Sequence, residues 1–140
     1  MARLFFALWP DAAARAALAE VARNTAGRYG GRAVPAANLH LTLVFLGEVD
    51  PAKIDALRRA VDGVACAGFP FLLDRIGGFR RAGVAWAGCR QSPPALLTLQ
   101  STLEARIREA GFSPDDRAFA PHLTLARHVR EPVEPEGMKA

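Results

Sequence analysis

HLTL, the sequence of residues 40–43, is repeated without change at residues 122–125. The chain of 140 residues contains three histidines, and two of them, His40 and His122, begin this tetrapeptide. Both copies lie in apolar stretches that are typical of strands. An identical motif in two matching stretches indicates an internal repeat rather than a chance recurrence.

The alternation of side chains along a strand gives the repeat a meaning. Successive side chains point to opposite faces, so the leucines of each copy face the interior and the remaining two residues share the other face. This groups His40 with Thr42, and His122 with Thr124. If the two halves are related by a pseudo-two-fold axis, we expect the two His/Thr pairs to meet in one groove.

Two imidazoles that face each other across a groove suit displacement at phosphorus. Histidine titrates near pH 6.5 when unperturbed, so one ring can act as a general base while the other acts as a general acid. Threonine hydroxyls can donate hydrogen bonds to the phosphate oxygens on which charge develops. Cys66 and Cys89 are far apart, and no group of Cys, His, Asp or Glu has the spacing of a metal site. We therefore expect a reaction that needs neither metal nor cofactor.

Outside the repeat, the pattern predicts the order β-α-β-α-β-β-α-β. The predicted strands are Leu4–Leu8, Leu39–Leu46, Phe69–Ile76, Val84–Ala87 and Phe119–Ala126, with a break at Gly77-Gly78 after the third. The predicted helices begin at Pro10-Asp11, Asp50-Pro51 and Pro93-Pro94. This order predicts an α+β fold with antiparallel sheets and helices outside them. We expect one domain over residues 1–130 and a loose, proline-containing tail over residues 131–140.

Composition limits the possible functions less sharply. Hydrophobic residues make up 51% of the chain, and no apolar run is long enough for a transmembrane helix, so we expect a cytoplasmic protein with no membrane partner. The net charge is +4, and only two of the 18 basic residues are lysine. Arginine suits phosphate recognition because its planar fork can donate two hydrogen bonds to one anion, although an arginine-rich composition explains the count equally well.

Four stretches match the pattern of a known family: residues 3–8, 38–47, 84–88 and 119–127. By these stretches the chain resembles the 2H phosphoesterases, and within them the RNA 2′,3′-cyclic phosphodiesterases, also called 2′–5′ RNA ligases. The resemblance implies a bilobal α+β fold, with one histidine motif in each lobe and antiparallel sheets that line a central groove. It also implies hydrolysis of a 2′,3′-cyclic phosphate at an RNA end to a 2′-phosphate, and reversible joining of RNA ends through a 2′–5′ linkage.

The resemblance further implies roles for the repeated residues. His40 corresponds to the proton donor to the leaving 3′ oxygen and His122 to the proton acceptor that activates water, although the sequence does not fix which histidine has which role. Thr42 and Thr124 correspond to phosphate ligands.

Three more residues are candidates for substrate binding by resemblance. Arg127 corresponds to a phosphate-contacting arginine, but simple alternation places it opposite His122. It could reach the groove only beyond the strand end or across a β-bulge. Phe6 and Phe45 are candidates for stacking on a base, with a position in the core as the alternative.

Several alternatives stay open. We expect the C-terminal strands to be shortened relative to the family, which leaves open whether another subunit completes the sheet. A small cyclic nucleotide, or the cyclic phosphate of an ADP-ribose, would use the same two His/Thr pairs. A module that binds RNA ends with weak or no turnover is the remaining possibility.

Overall fold

The computed structural model describes residues 1–64 and 72–137, and within them it has the α+β class and the element order that the sequence predicts. The elements in chain order are β1 (Ala2–Leu8), α1 (Ala12–Tyr29), β2 (Arg32–Ala33), β3 (Leu41–Val49), α2 (Ile54–Val61), β4 (Arg75–Phe79), β5 (Val84–Gly88), α3 (Pro94–Glu109), β6 (His122–Arg127) and β7 (Glu136–Gly137). The two-residue strands β2 and β7 are additions to the predicted order. Single 3₁₀ turns precede β3 and α2.

The chain folds into two compact units, in agreement with a bilobal fold. The first unit consists of Met1–Ala7, Thr42–Phe71 and Ser92–Ala120, and the second of Leu8–Leu41, Leu72–Gln91 and Pro121–Ala140. The boundary falls inside the first copy of the tetrapeptide, because Leu41 pairs with Leu123 of β6 and so belongs to the second unit. Both histidines of the repeat therefore lie in the second unit, rather than one in each.

In the first unit, β1 and β3 are neighbouring strands, and α2 packs against α3. Asp50 caps the 3₁₀ turn before α2, as the sequence predicts, by accepting a hydrogen bond from the Ala52 N–H at 3.0 Å. On α3, the side-chain amide of Gln100 donates to the Leu43 carbonyl at 3.2 Å. This bond fixes the helix to the strand that follows the first tetrapeptide.

In the second unit, β4, β5 and β6 form an antiparallel sheet, with β2 beside β6 and β7 beside β4. Helix α1 covers one face of this sheet. It begins where the sequence predicts, after Asp11, which caps it by accepting from the Ala14 N–H at 2.8 Å, and it ends before Gly30, which has φ +71°. Its buried residues pack with leucines of β6 and apolar residues of β4 and β5 in one core, which comprises Leu18, Ala19, Ala22, Leu39, Ile76, Ala87, Leu123 and Leu125.

Several predicted strand boundaries are wrong, and the last strand begins at His122 instead of Phe119. β3 runs from Leu41 to Val49 and contains Gly47 at φ +71°, so His40 immediately precedes the strand instead of lying within it. β4 contains the two glycines that were predicted to end a strand, because the ring of Trp86 occupies the space where a Gly77 side chain would be. The predicted strand residues 69–71 lie outside the described residues.

The C-terminal segment also differs from the prediction of a loose tail. Val133 packs against the core of the second unit, and β7 pairs with β4 through Ile76↔Glu136 and Arg75↔Gly137. Val133 and β7 therefore have contacts with the second unit, whereas residues 138–140 lie outside the described residues. The domain boundary after residue 130 stays a prediction.

Over residues 1–64 and 72–137, none of the helices combines the length and the apolar character that a bilayer crossing requires.

Candidate active site

The starts of β3 and β6 bring both histidines of the repeat into the second unit. Leu41 and Leu123 are antiparallel Cα partners, and they are exposed by only 1% and 3%. If this register is continued by one residue, His40 lies opposite Thr124 and diagonal to His122. Directly opposite residues have Cβ atoms about 5 Å apart and diagonal ones about 7–8 Å. Both histidines are half-buried, which leaves part of each ring accessible to a substrate.

His40 is oriented by its own backbone and by a neighbouring indole ring. Its Nδ1 lies 2.7 Å from the carbonyl oxygen of Asn38. Because a carbonyl only accepts hydrogen bonds, Nδ1 carries a proton, and proton exchange with a substrate falls to Nε2. The ring of Trp9 lies against the imidazole, with centroids 5.0 Å apart and planes tilted by 35°.

His122 is the first residue of β6 and lies against a phenyl ring. Its Cα partner on β5 is Gly88, and the ring of Phe79 meets the imidazole edge to face, with a centroid distance of 5.0 Å and an interplanar angle of 88°. Phe79 in turn packs on Trp86 at 5.7 Å. His122 is therefore held by a strand and an aromatic pair, while His40 is held by a main-chain hydrogen bond.

Trp86 lies flat across the sheet because two glycines leave room for it. A Cβ atom at Gly77 would be 2.5 Å from the indole Cζ2, and one at Gly88 would be 2.8 Å from Cζ3. The guanidinium of Arg75 lies 5.5 Å from the indole centroid, in cation–π geometry. Trp86 is also the Cα partner of Thr124, so the indole and the threonine share the sheet face that points away from α1.

The strand β6 contains a one-residue irregularity directly after Thr124. Trp86 pairs with Thr124, but the next residue back on β5, Ala85, pairs with Ala126. Leu125 is therefore an extra residue on β6, which is the arrangement of a β-bulge.

The bulge changes the face on which Arg127 lies. Leu125 and Ala126 are consecutive, and both are fully buried in the two core clusters that contain residues of α1. Arg127 therefore follows two inward-facing residues and is exposed on the face of Thr124 and His122, whereas simple alternation predicted the opposite face. Arg32, its Cα partner on β2, is exposed beside it.

In the first unit, residues 42–45 of β3 show nearly the same order of burial as residues 124–127 of β6. Thr42 is half-buried, Leu43 and Val44 are buried by 95% and 96%, and Phe45 is again half-buried. Phe45 thus occupies the position in β3 that Arg127 occupies in β6. The guanidinium of Arg3 lies 5.7 Å from the Phe45 ring centroid. Phe6, on β1, is half-buried.

Known proteins are similar in sequence to this chain over nearly its whole length. The sequence model of the LigT-like phosphoesterases matches residues 8–86 and 88–136. The chain belongs to the LigT-like phosphoesterase family. The resemblance inferred from the paired HLTL motifs is thereby confirmed.

Relatives of this LigT-like phosphoesterase include enzymes from bacteria and archaea. The RNA 2′,3′-cyclic phosphodiesterase of Escherichia coli K12 is 38% identical over 131 residues, which are 94% of this chain and 74% of the relative. The enzyme of the same name from Archaeoglobus fulgidus is 30% identical over 135 residues, which cover 94% of this chain and 76% of the relative. The crystal structure of Escherichia coli LigT complexed with 3′-AMP superposes with a TM-score of 0.79 at 36% identity, and covers 96% of this chain and 78% of that chain.

A cavity of about 510 Å³ adjoins the aromatic side of the LigT-like site in the second unit. It is lined by Phe79, which also contacts His122, and by the charged residues Arg80, Arg130 and Glu131. Two guanidinium groups and one carboxylate leave the cavity with an excess of positive charge, which favours an anionic occupant.

The described part of the chain contains no group of three or more His, Cys, Asp or Glu side chains placed to hold a metal ion. Cys89 donates its S–H to the Leu72 carbonyl at 3.0 Å, and burial, together with the Asp74 carboxylate, raises the pKa of its thiol. Cys66 lies outside the described residues.

Trp9, Phe79 and Trp86 were not predicted as site residues of this LigT-like phosphoesterase. The linear pattern gives no signal for Trp9, since an apolar residue shortly before a helix start often packs against the first turn. Nothing in the linear pattern indicates that Phe79 lies against His122, because that contact depends on the pairing of β4, β5 and β6.

Proposed function

We propose that this protein hydrolyses the 2′,3′-cyclic phosphate at RNA ends to a 2′-phosphate, with His40 as general acid and His122 as general base. Membership of the LigT-like family and two relatives named RNA 2′,3′-cyclic phosphodiesterase support the reaction. The observation that carries most weight is the pairing of Leu41 with Leu123, which supports a common site for the two histidines in the second unit.

The proposed reaction exchanges one phosphorus–oxygen bond for another. His122 accepts a proton from water as the water oxygen forms a bond to phosphorus. The bond between phosphorus and the ribose 3′ oxygen breaks, and His40 gives its Nε2 proton to that oxygen. The product keeps the phosphate on the 2′ oxygen, and proton exchange with solvent restores both rings. Each proton transfer typically contributes about 10²–10⁴ in rate.

The remaining predicted site residues have supporting roles in this proposal. The hydroxyl of Thr124 donates to a non-bridging phosphate oxygen, where charge develops during attack, and Thr42 stays a candidate phosphate ligand. Arg127 binds the phosphate from the exposed end of β6, and Arg32 beside it adds a second cation. Phe6 and Phe45 stay candidates for base contacts. When the 5′ hydroxyl of a second RNA replaces water, the same steps join the two ends through a 2′–5′ linkage.

The first test is turnover of a short RNA that ends in a 2′,3′-cyclic phosphate, with EDTA present. We expect wild-type protein to form the 2′-phosphate, and His40→Ala and His122→Ala to lose about 10²-fold or more of kcat. His128→Asn is the matched control, because His128 is the third histidine and its φ of +56° suits asparagine. A folded wild-type protein that leaves this RNA unchanged would overturn the proposal, and activity that EDTA abolishes would overturn its metal independence.

The cavity beside Phe79 favours RNA over a small cyclic nucleotide as substrate, because Arg80 and Arg130 can bind further backbone phosphates. Each phosphate contact on a single strand contributes about 0.7 to the slope of log affinity against log salt. We expect the double variant Arg80→Ala/Arg130→Ala to lower this slope for RNA by about one unit and to leave the KM for a 2′,3′-cyclic mononucleotide within about two-fold. An unchanged slope for RNA would favour the small substrate.

A further inference from the structure

We propose that Trp9 is the nucleobase-binding residue of the site, and that it stacks on the base of the nucleotide that carries the cyclic phosphate. This inference rests on the proposed function, and it assigns a ligand to a residue that neither the repeat nor the family resemblance singled out. Its ligand class is a purine or pyrimidine ring, bound through its face and therefore with little base selectivity.

The exposure of Trp9 is the first observation. The side chain is 53% exposed, although a tryptophan normally buries most of its large apolar surface. An exposed aromatic ring that lies beside candidate catalytic groups is typical of a ligand-binding surface. On one side the indole rests against His40, and the exposed part of the ring is available for a planar ligand.

The backbone on both sides of Trp9 is held by secondary structure and hydrogen bonds, so the position of the ring is well defined. It lies between the end of β1 and the capping residue of α1, and the next residue, Pro10, has a fixed φ angle. The guanidinium of Arg15 donates to the Pro10 carbonyl at 3.4 Å, and Asp11 caps the helix. A pre-ordered ring loses little conformational entropy when a base stacks on it.

The position of Trp9 beside His40 selects the nucleotide that it would bind. In the proposed reaction, His40 protonates the 3′ oxygen of the ribose that carries the cyclic phosphate. The base of that nucleotide is attached to the same ribose, so the base and the protonated oxygen are separated by one sugar ring. An indole in contact with the His40 ring, at a centroid distance of 5.0 Å, lies within the reach of that base.

Phe79, the exposed ring beside His122, has a different environment. Its phenyl ring meets the imidazole edge to face and also packs on Trp86, and it lines the cavity with Arg80 and Arg130. It lies beside the histidine that activates the attacking group, on the side opposite to the leaving 3′ oxygen in an in-line reaction. We therefore assign the base of the cyclic-phosphate nucleotide to Trp9 and not to Phe79.

The test compares two RNA substrates that differ only at the last nucleotide, which carries either adenosine or an abasic ribose with the same 2′,3′-cyclic phosphate. For wild-type protein we expect the loss of the base to raise KM about ten-fold, since stacking on an aromatic side chain typically contributes at this scale. For Trp9→Ala we expect the same high KM with both substrates, and a kcat that is lowered by the same factor for both, because the indole that contacts His40 is removed in each case. Trp9→Phe should restore most of the difference in KM between the two RNAs. Leu97→Ala, which removes another exposed apolar side chain, should leave that difference as it is in wild type.

A binding measurement separates failure of this inference from failure of the proposed function. The chain has two tryptophans, so stacking on Trp9 should quench part of the wild-type emission when adenosine 2′-phosphate is added. We expect no such quenching with inorganic phosphate, and none by the nucleotide in Trp9→Phe. If wild type turns over both RNAs but Trp9→Ala still distinguishes them as strongly as wild type does, the inference is wrong and the proposed function stands. If wild type turns over neither RNA, the proposed function fails, and the quenching experiment alone decides whether Trp9 binds a base.

Discussion

The two copies of HLTL have identical sequences and similar burial, but their histidines lie in different surroundings. In both copies the leucines are buried and the threonine is half-buried. His122, however, is part of a strand and lies against Phe79, while His40 precedes its strand and donates a hydrogen bond to the Asn38 carbonyl. The repeat therefore specifies the packing of each strand, and the neighbours of each copy specify the chemistry of its histidine.

This difference suits a pair of groups with unequal tasks. A hydrogen bond from Nδ1 to a carbonyl fixes the tautomer and the ring orientation of His40. A residue on a paired strand has its backbone fixed by hydrogen bonds to a neighbouring strand, as His122 does opposite Gly88. Each histidine is thus oriented by a separate structural feature. A substitution that alters the orienting contacts of one histidine can therefore leave those of the other unchanged.

The largest expected effect is a loss of kcat in the two His→Ala variants, and it can be used to test whether the two histidines have different roles. Each single His→Ala variant should lose about 10²–10⁴ in kcat on a normal cyclic phosphate. With a substrate in which sulfur replaces the 3′ oxygen, the leaving group needs no proton. We therefore expect the change from oxygen to sulfur to raise the kcat of His40→Ala at least about ten-fold more than it raises the kcat of wild type. For His122→Ala we expect no such additional increase in kcat.

The control for this experiment is wild-type protein with both substrates, which corrects for the intrinsic reactivity of the sulfur compound. Recovery of His122→Ala instead of His40→Ala would exchange the two roles. Equal recovery of both variants would contradict a division of acid and base between the copies.

A smaller effect is expected from the glycine that supports the surroundings of the second copy. Gly77→Ala places a methyl group about 2.5 Å from the Trp86 ring, which must move away from Thr124 and Phe79. We expect a loss of about 1–3 kcal/mol in the free energy of unfolding, together with a lower kcat. Urea unfolding and steady-state kinetics measure the two effects.

Gly27→Ala is the matched control for this variant. Gly27 lies in α1, and a Cβ atom there would meet nothing within 4 Å. The same chemical change should therefore raise the free energy of unfolding by about 0.5–1 kcal/mol and leave kcat unchanged. If both variants lose stability equally, the close contact between Gly77 and Trp86 is not the cause.

The smallest expected effect concerns the segment after α3 that contains Asp115 and bonds to β3 within the first unit. The Asp115 N–H donates to the Phe45 carbonyl at 2.9 Å, and hydrogen bonds from Arg117 lower the pKa of the Asp115 carboxyl to about 2. Because this pKa is depressed, the stabilisation by the pair is complete above the ordinary value of 3.8 and is lost as the pH falls through about 2.

We expect Arg117→Ala to raise the pKa of Asp115 while leaving it below 3.8, because the main-chain N–H of residue 117 still donates to the carboxylate at 2.9 Å. An NMR titration of the carboxyl carbon measures this shift. A pKa that remains at about 2 in the variant would show that the guanidinium contributes nothing. Lys53→Ala, which removes a cation elsewhere in the same unit, is the control.

The sequence predicted the α+β class, the helix start at Asp11 and the cap at Asp50 because each depends on local patterns. Period-two leucines indicate buried strand positions, and a carboxylate before a helix satisfies free N–H groups. For Arg127 the sequence offered two routes to the groove, the strand end or a bulge, and no local rule located the bulge after Thr124. It depends on how β5 pairs with β6.

The failures have the same origin. Gly77 and Gly78 were predicted to interrupt a strand, since glycine usually weakens one, but a neighbouring strand places an indole ring over Gly77. Pro132 and Pro135 suggested a loose tail, although Val133 between them is partly buried and packs against the core. In both cases a contact between residues that are distant in the chain overrides the local preference.

The extra residue at Leu125 has a consequence for protein engineering. Substitutions at this position change the volume of a buried side chain, and a library of apolar residues should contain many folded members. Removal of the residue is a different kind of change, because it leaves one inward-facing residue where the bulge has two and so restores regular alternation after Thr124. Ala126 would stay buried opposite Ala85 and Arg127 would keep its face, so a deletion here would remove a buried leucine side chain without reversing the strand.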